Sequence, residues 1–144
     1  QKEFTGGFVT DYAGKARLAV NLLEQYDLVI VHIKGTDLCG HDNLPLRKAQ
    51  ILENIDAMFA YWLDKIDQSS TYLAIVADHS TPCHNKEHSA DPVPCFVWGP
   101  NVRTDEVEQF GERYMYKGII NNYTGAQLMK TLMDYMAFGK KYGD

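Results

Sequence analysis

Three short apolar runs punctuate the chain, each bounded by polar or turn-forming residues. Residues 27–33, DLVIVHI, are of strand length and rich in β-branched side chains, which predicts a buried parallel strand. YLAIVA at 72–77 and VPCFVW at 93–98 predict two more, the last stopped by Gly99-Pro100. Between these runs the apolar period lengthens to that of a helix. Ala16, Leu18, Ala19, Leu22 and Leu23 predict a helix over about 12–25, with Asp11 as its cap. From 46 to 66, Ile51, Leu52, Ile55, Met58, Phe59, Trp62, Leu63 and Ile66 share one broad face. Thr124 and Gln127 have the form of a capping box for a last helix over about 125–137. A short helix is expected over 105–111, and residues 34–45 and 78–92 read as polar loops.

The order helix, strand, helix, strand, strand, helix predicts an α/β fold with a mainly parallel sheet flanked by helices. Three strands are few for such a sheet. Either an edge of the sheet is exposed, or residues 1–144 are one portion of a larger domain whose remaining strands belong to sequence outside this chain.

Composition narrows the class. The chain is 45% hydrophobic and 23% charged, close to globular averages, which argues against general disorder. Its net charge of −5 leaves no basic face for nucleic acid. Small phosphorylated substrates stay open, because a bound divalent ion reverses the local sign. Cys39, Cys83 and Cys95 are widely spaced with no CxxC pair, so a reducing cytoplasm is expected rather than a disulfide framework. No stretch reaches the roughly 18 apolar residues of a membrane span. The first residues, QKEFTGGFVTDY, have neither a signal core nor an initiator Met, as expected of a processed, cloned or excised piece.

The candidate chemistry lies in the two polar loops, each directly after an apolar strand, where open α/β sheets place their ligands. The first holds Asp37 and His41, spaced i,i+4; the second holds Asp78 and His79, with His88 nine residues after His79. Two carboxylates and three imidazoles suit Zn²⁺, Mn²⁺ and related ions. Taken singly, each element reads as ordinary loop chemistry or a helix cap; their conjunction carries the metal reading. Other groups keep plainer roles. His32 reads as a core histidine, His84 as a surface residue, and Met129, Met133 and Met136 as core of the last helix. Asp105, Glu106 and Glu108 read as a solvated face. A structural zinc site using Cys39 and Cys83 is the weaker alternative.

VHIKGTDLCGHDN (31–43), VADHSTPCHNKEHSADPVPCFVWGPNVR (76–103) and, more loosely, residues 10–34 resemble the alkaline phosphatase superfamily. Within it they resemble the archaeal-type, cofactor-independent (2,3-bisphosphoglycerate-independent) phosphoglycerate mutases, and this chain resembles their C-terminal part. The resemblance implies that Asp37, His41 and His88 bind one metal and that Asp78 and His79 bind a second. It implies two divalent ions, Mn²⁺ first with Zn²⁺, Mg²⁺ or Co²⁺ as alternatives, and no bisphosphoglycerate. In the family a serine takes the phosphoryl group of 3-phosphoglycerate and returns it to the 2-hydroxyl. That serine and one further aspartate have no match here, so the nucleophile is expected in a missing N-terminal part, and this chain alone is expected to be inactive. Ser80 and Ser89 are expected to orient ligands instead. Lys34 and Lys86 are candidates for substrate binding.

The competing readings are a phosphatase, phosphodiesterase or phosphonate hydrolase of the same superfamily, with identical ligands, and a non-catalytic metal-binding module.

Overall fold

Asp11 opens the first helix, α1 (Tyr12–Leu22), by accepting the Gly14 N–H on its carboxylate at 2.7 Å. The computed structural model describes residues 3–120 and 122–138. A second helix, α2 (Gly35–His41), falls where a loop was expected. The long α3 (Pro45–Lys65) starts on a proline, whose missing N–H costs nothing in a first turn. β1 (Leu73–Val76), β2 (Cys95–Trp98), α4 (Glu112–Met115) and α5 (Gly125–Tyr135) complete the order.

The described residues divide into two compact units: 3–66 with 80–90, and 67–79 with 91–138. In the first, Ala16 and Ala19 of α1, Cys39 of α2, and Ile51 and Met58 of α3 are buried. Small residues on α1 and α2 let the helices approach closely, and the helical period predicted from Ile51 and Met58 is the one buried. The Trp62 indole N–H donates to the Ala16 carbonyl at 3.0 Å, which ties α3 to α1. Phe59 meets Trp62 edge-on with ring centroids 4.9 Å apart.

Residues 27–33 depart from the expected buried strand. Among the described residues they join no sheet, and Leu28, Ile30 and His32 are exposed while Val29, Val31 and Ile33 are half-buried. The alternation is that of a strand with one face covered. His32 is thus a surface residue rather than a core histidine; its carbonyl accepts from the Lys15 ammonium at 3.3 Å.

In the second unit the sheet has two strands and is antiparallel, with Leu73 opposite Trp98 and Val76 opposite Cys95. A mainly parallel sheet was expected, and this pair is antiparallel. A parallel connection needs a crossover, usually a helix, and no helix lies between 77 and 94. The 105–111 helix does not form. Asp105 instead accepts N–H bonds from Val107 at 3.0 Å and from Ile119 at 3.1 Å, so a side chain of the supposed solvated face organises a turn. The capping box before α5 forms as expected, with the Thr124 N–H donating to Gln127 Oε1 at 2.7 Å. Leu128 is the buried residue of α5, while Met129 and Met133 are exposed rather than core. Tyr135 stacks on Tyr72 with centroids 5.7 Å apart. No described helix is long and apolar enough to cross a membrane.

Candidate metal centre

The i,i+4 spacing of Asp37 and His41 puts both side chains on one face of α2, because four residues are about one helical turn. His88 arrives from the 80–90 segment of the same unit. That segment is folded back on itself. The Ser89 N–H donates to the Ser80 carbonyl at 3.0 Å, and the N–H groups of Asn85 and Lys86 both donate to the Pro82 carbonyl at 3.1 Å. Lys86 completes the reversal in the left-handed region, φ +59°.

The three side chains present a compact triangle of donors. His41 Nε2 lies 3.2 Å from His88 Nε2 and 3.3 Å from Asp37 Oδ1. His88 Nε2 lies 3.4 Å from the same oxygen. Among the described residues this is the group of His, Cys, Asp and Glu side chains placed to hold a metal ion. The dimensions fit: an ion about 2 Å from each of three donors sits just off the plane of such a triangle, with further positions open.

The ring orientation is also set. His41 Nδ1 lies 2.8 Å from the Lys86 carbonyl oxygen. A carbonyl only accepts, so Nδ1 carries the proton and Nε2 keeps its lone pair for the triangle. Asp37 is ionised. Its partial burial would raise its pKa, but hydrogen bonds from Lys34 and Thr81 and the nearby positive charge outweigh that and hold it at about 2.

Two of these supports were not anticipated. The Thr81 hydroxyl donates to Asp37 Oδ1 at 2.9 Å, and the backbones of Ser80 and Ser89 are joined by a hydrogen bond. The Lys86 contribution is a backbone carbonyl, which no residue type advertises. Lys34 pairs with Asp37 Oδ2 at 2.9 Å. Cys83 donates to the Cys39 carbonyl at 3.6 Å, and burial pushes the Cys39 thiol above its usual pKa, which disfavours a thiolate ligand. His84 is exposed, as expected. Asp78 and His79 belong to the other unit and face each other, His79 Nε2 lying 3.3 Å from Asp78 Oδ2.

A carboxylate and two imidazoles in this triangle could hold a metal ion, and the metalloenzyme superfamily matches residues 7–135. The chain belongs to that superfamily. It is 46% identical over 139 residues to the 2,3-bisphosphoglycerate-independent phosphoglycerate mutase of Pyrococcus abyssi, covering 96% of this chain and 34% of that protein. It is 44% identical over 134 residues to the mutase of the same name from Methanococcus maripaludis, covering 93% of this chain and 33% of the relative. A solved structure of the PH0037 protein from Pyrococcus horikoshii superposes with a TM-score of 0.95 at 43% identity, over 99% of this chain and 43% of that one. The chain thus spans about a third of the length of the curated relatives it matches.

Proposed function

We propose that this chain is the metal-binding C-terminal portion of a phosphoglycerate mutase that interconverts 3-phosphoglycerate and 2-phosphoglycerate through a phosphoserine. The observation that carries the reading is the Asp37–His41–His88 donor triangle in a chain 46% identical to a named mutase. In this reading the triangle holds Mn²⁺, with Zn²⁺, Mg²⁺ or Co²⁺ as substitutes, and Asp78 with His79 supplies ligands for a second ion. Bound divalent ions polarise phosphoryl oxygens and activate a hydroxyl nucleophile. The serine nucleophile and the remaining ligands lie in the other two-thirds of the protein, and no bisphosphoglycerate is required. Residues 27–33 contribute a strand to a mainly parallel sheet completed by that part, which agrees with the exposed Leu28 and Ile30. Lys86, beside the triangle, is the substrate-facing cation. The setting implied is cytoplasmic glycolysis or gluconeogenesis.

The chain's own residues then bind and orient: two neutral imidazoles and one carboxylate fix an ion against which a phosphorylated substrate docks. An enolase-coupled assay tests this. The purified chain with Mn²⁺ should show no turnover of 3-phosphoglycerate, and adding the N-terminal part of a mutase relative should restore it. Turnover by the chain alone, abolished by Ser80→Ala or Ser89→Ala, would overturn the assignment of the nucleophile. Release of free phosphate by the reassembled protein, without 2-phosphoglycerate, would make it a phosphatase.

A further inference from the structure

Asp37 is held at both oxygens, and by different residues. Thr81 donates its hydroxyl to Oδ1 at 2.9 Å, and Lys34 brings its ammonium to Oδ2 at 2.9 Å. Oδ1 is the oxygen that lies 3.3 Å from His41 Nε2 and 3.4 Å from His88 Nε2; Oδ2 is drawn to Lys34. Thr81 is itself fixed. It is 4% exposed, and its carbonyl accepts from the Lys48 ammonium of α3 at 2.9 Å. Gly40 of α2 packs so tightly against it that a Cβ there would overlap the Thr81 carbonyl oxygen and side chain.

From this arrangement we propose that Thr81 and Lys34 are positioning residues that make Asp37 a one-oxygen metal ligand. The inference deepens the metal-site reading above and rests on it. A carboxylate oxygen has two lone-pair directions. Thr81 occupies one of those on Oδ1 and leaves the other aimed at the triangle. Lys34 keeps Oδ2 from swinging in as a second donor. The site then offers two nitrogens and one oxygen, with the remaining positions kept for water or substrate oxygens. Lys34 acts on the ligand, not on the substrate.

Calorimetric titration of the chain with MnCl₂ and with ZnCl₂ tests the proposal without reference to turnover. Thr81→Val should weaken Mn²⁺ binding by about 10- to 100-fold, the usual effect of losing a group that orients a ligand. Thr81→Ser, which keeps the hydroxyl, should stay within about threefold of wild type. Lys34→Met should raise the Mn²⁺-to-Zn²⁺ affinity ratio, because a freed two-oxygen carboxylate suits the ion that accepts more oxygen ligands. Thermal unfolding of the metal-free variants separates lost folding from lost binding; if Thr81→Val does not fold, Thr81→Ser and Lys34→Met decide. Wild-type affinity in Thr81→Val, or equal loss in Thr81→Ser, would overturn the role of the hydroxyl. An unchanged ion ratio in Lys34→Met would overturn one-oxygen ligation. Failure of the wild-type chain to bind either ion would instead overturn the metal-site reading itself.

Discussion

His41 Nδ1 sits 2.8 Å from the carbonyl oxygen of Lys86, forty-five residues away in sequence. The bond selects the tautomer whose Nε2 lone pair points at His88 and Asp37. It depends on Lys86 holding φ +59°, a conformation costly for most side chains. Lys86→Gly should therefore raise the unfolding free energy by about 0.5–1 kcal/mol while keeping metal affinity. Lys86→Val, β-branched and ill-suited to this region, should lower both. Chemical denaturation with parallel Mn²⁺ titration distinguishes the two; equal stability of the Gly and Val variants would contradict the strain argument.

Removing one corner of the triangle should abolish the open metal site, since three protein ligands suffice for such a site and two rarely do. His88→Ala should lower Mn²⁺ affinity by about 100-fold or more. His79→Ala should leave the tighter binding event intact and remove only a weaker one. The check is the stoichiometry and affinity of each variant by calorimetry. Unaltered tight binding in His88→Ala would show that the ion sits elsewhere.

Asp37 makes stability depend on acid in a predictable direction. Its folded pKa, about 2, lies below the ordinary 3.8. Its stabilising contribution is thus fully present above pH 3.8 and fades as pH falls toward about 2. The stability gap between wild type and Asp37→Asn, measured without metal by urea unfolding, should shrink across that window by up to about 2 kcal/mol. A gap that stays constant between about pH 5 and about pH 2.5 would mean that Lys34 and Thr81 do not hold the carboxylate as described.

Gly40 tests how closely α2 must approach the 80–90 segment. A methyl group there would meet the Thr81 backbone, which cannot move aside as a flexible side-chain tip can. Gly40→Ala should therefore destabilise the chain, by about 1–3 kcal/mol as an overpacked site, despite alanine's better helix propensity. It should also weaken Mn²⁺ binding, because the displaced residue is the one that orients Asp37. Thermal unfolding and metal titration read the two effects; a more stable Gly40→Ala protein would show that the contact yields easily.

The three longer helices were legible because their information is local. Asp11 before α1, the buried period of Ile51 and Met58 in α3, and Gln127 three residues after Thr124 all act within a turn or two of chain. The clustering of Asp37, His41 and His88 was legible for a related reason: Asp37 and His41 are one turn apart on α2, and His88 is chemically conspicuous in a short polar segment. Strand direction was not legible, because DLVIVHI, YLAIVA and VPCFVW carry apolar patterns that fit either direction. The antiparallel pairing of Leu73 with Trp98 and the exposed face of 27–33 follow from which neighbours a strand finds. The sequence by itself determined the helices, their caps and the residue types available to a metal, since these depend on neighbours within about one turn. Only the tertiary structure decided that Thr81 and the Lys86 carbonyl hold Asp37 and His41, because a hydroxyl forty-four residues from Asp37 and a backbone oxygen acquire a role only when the fold closes the distance.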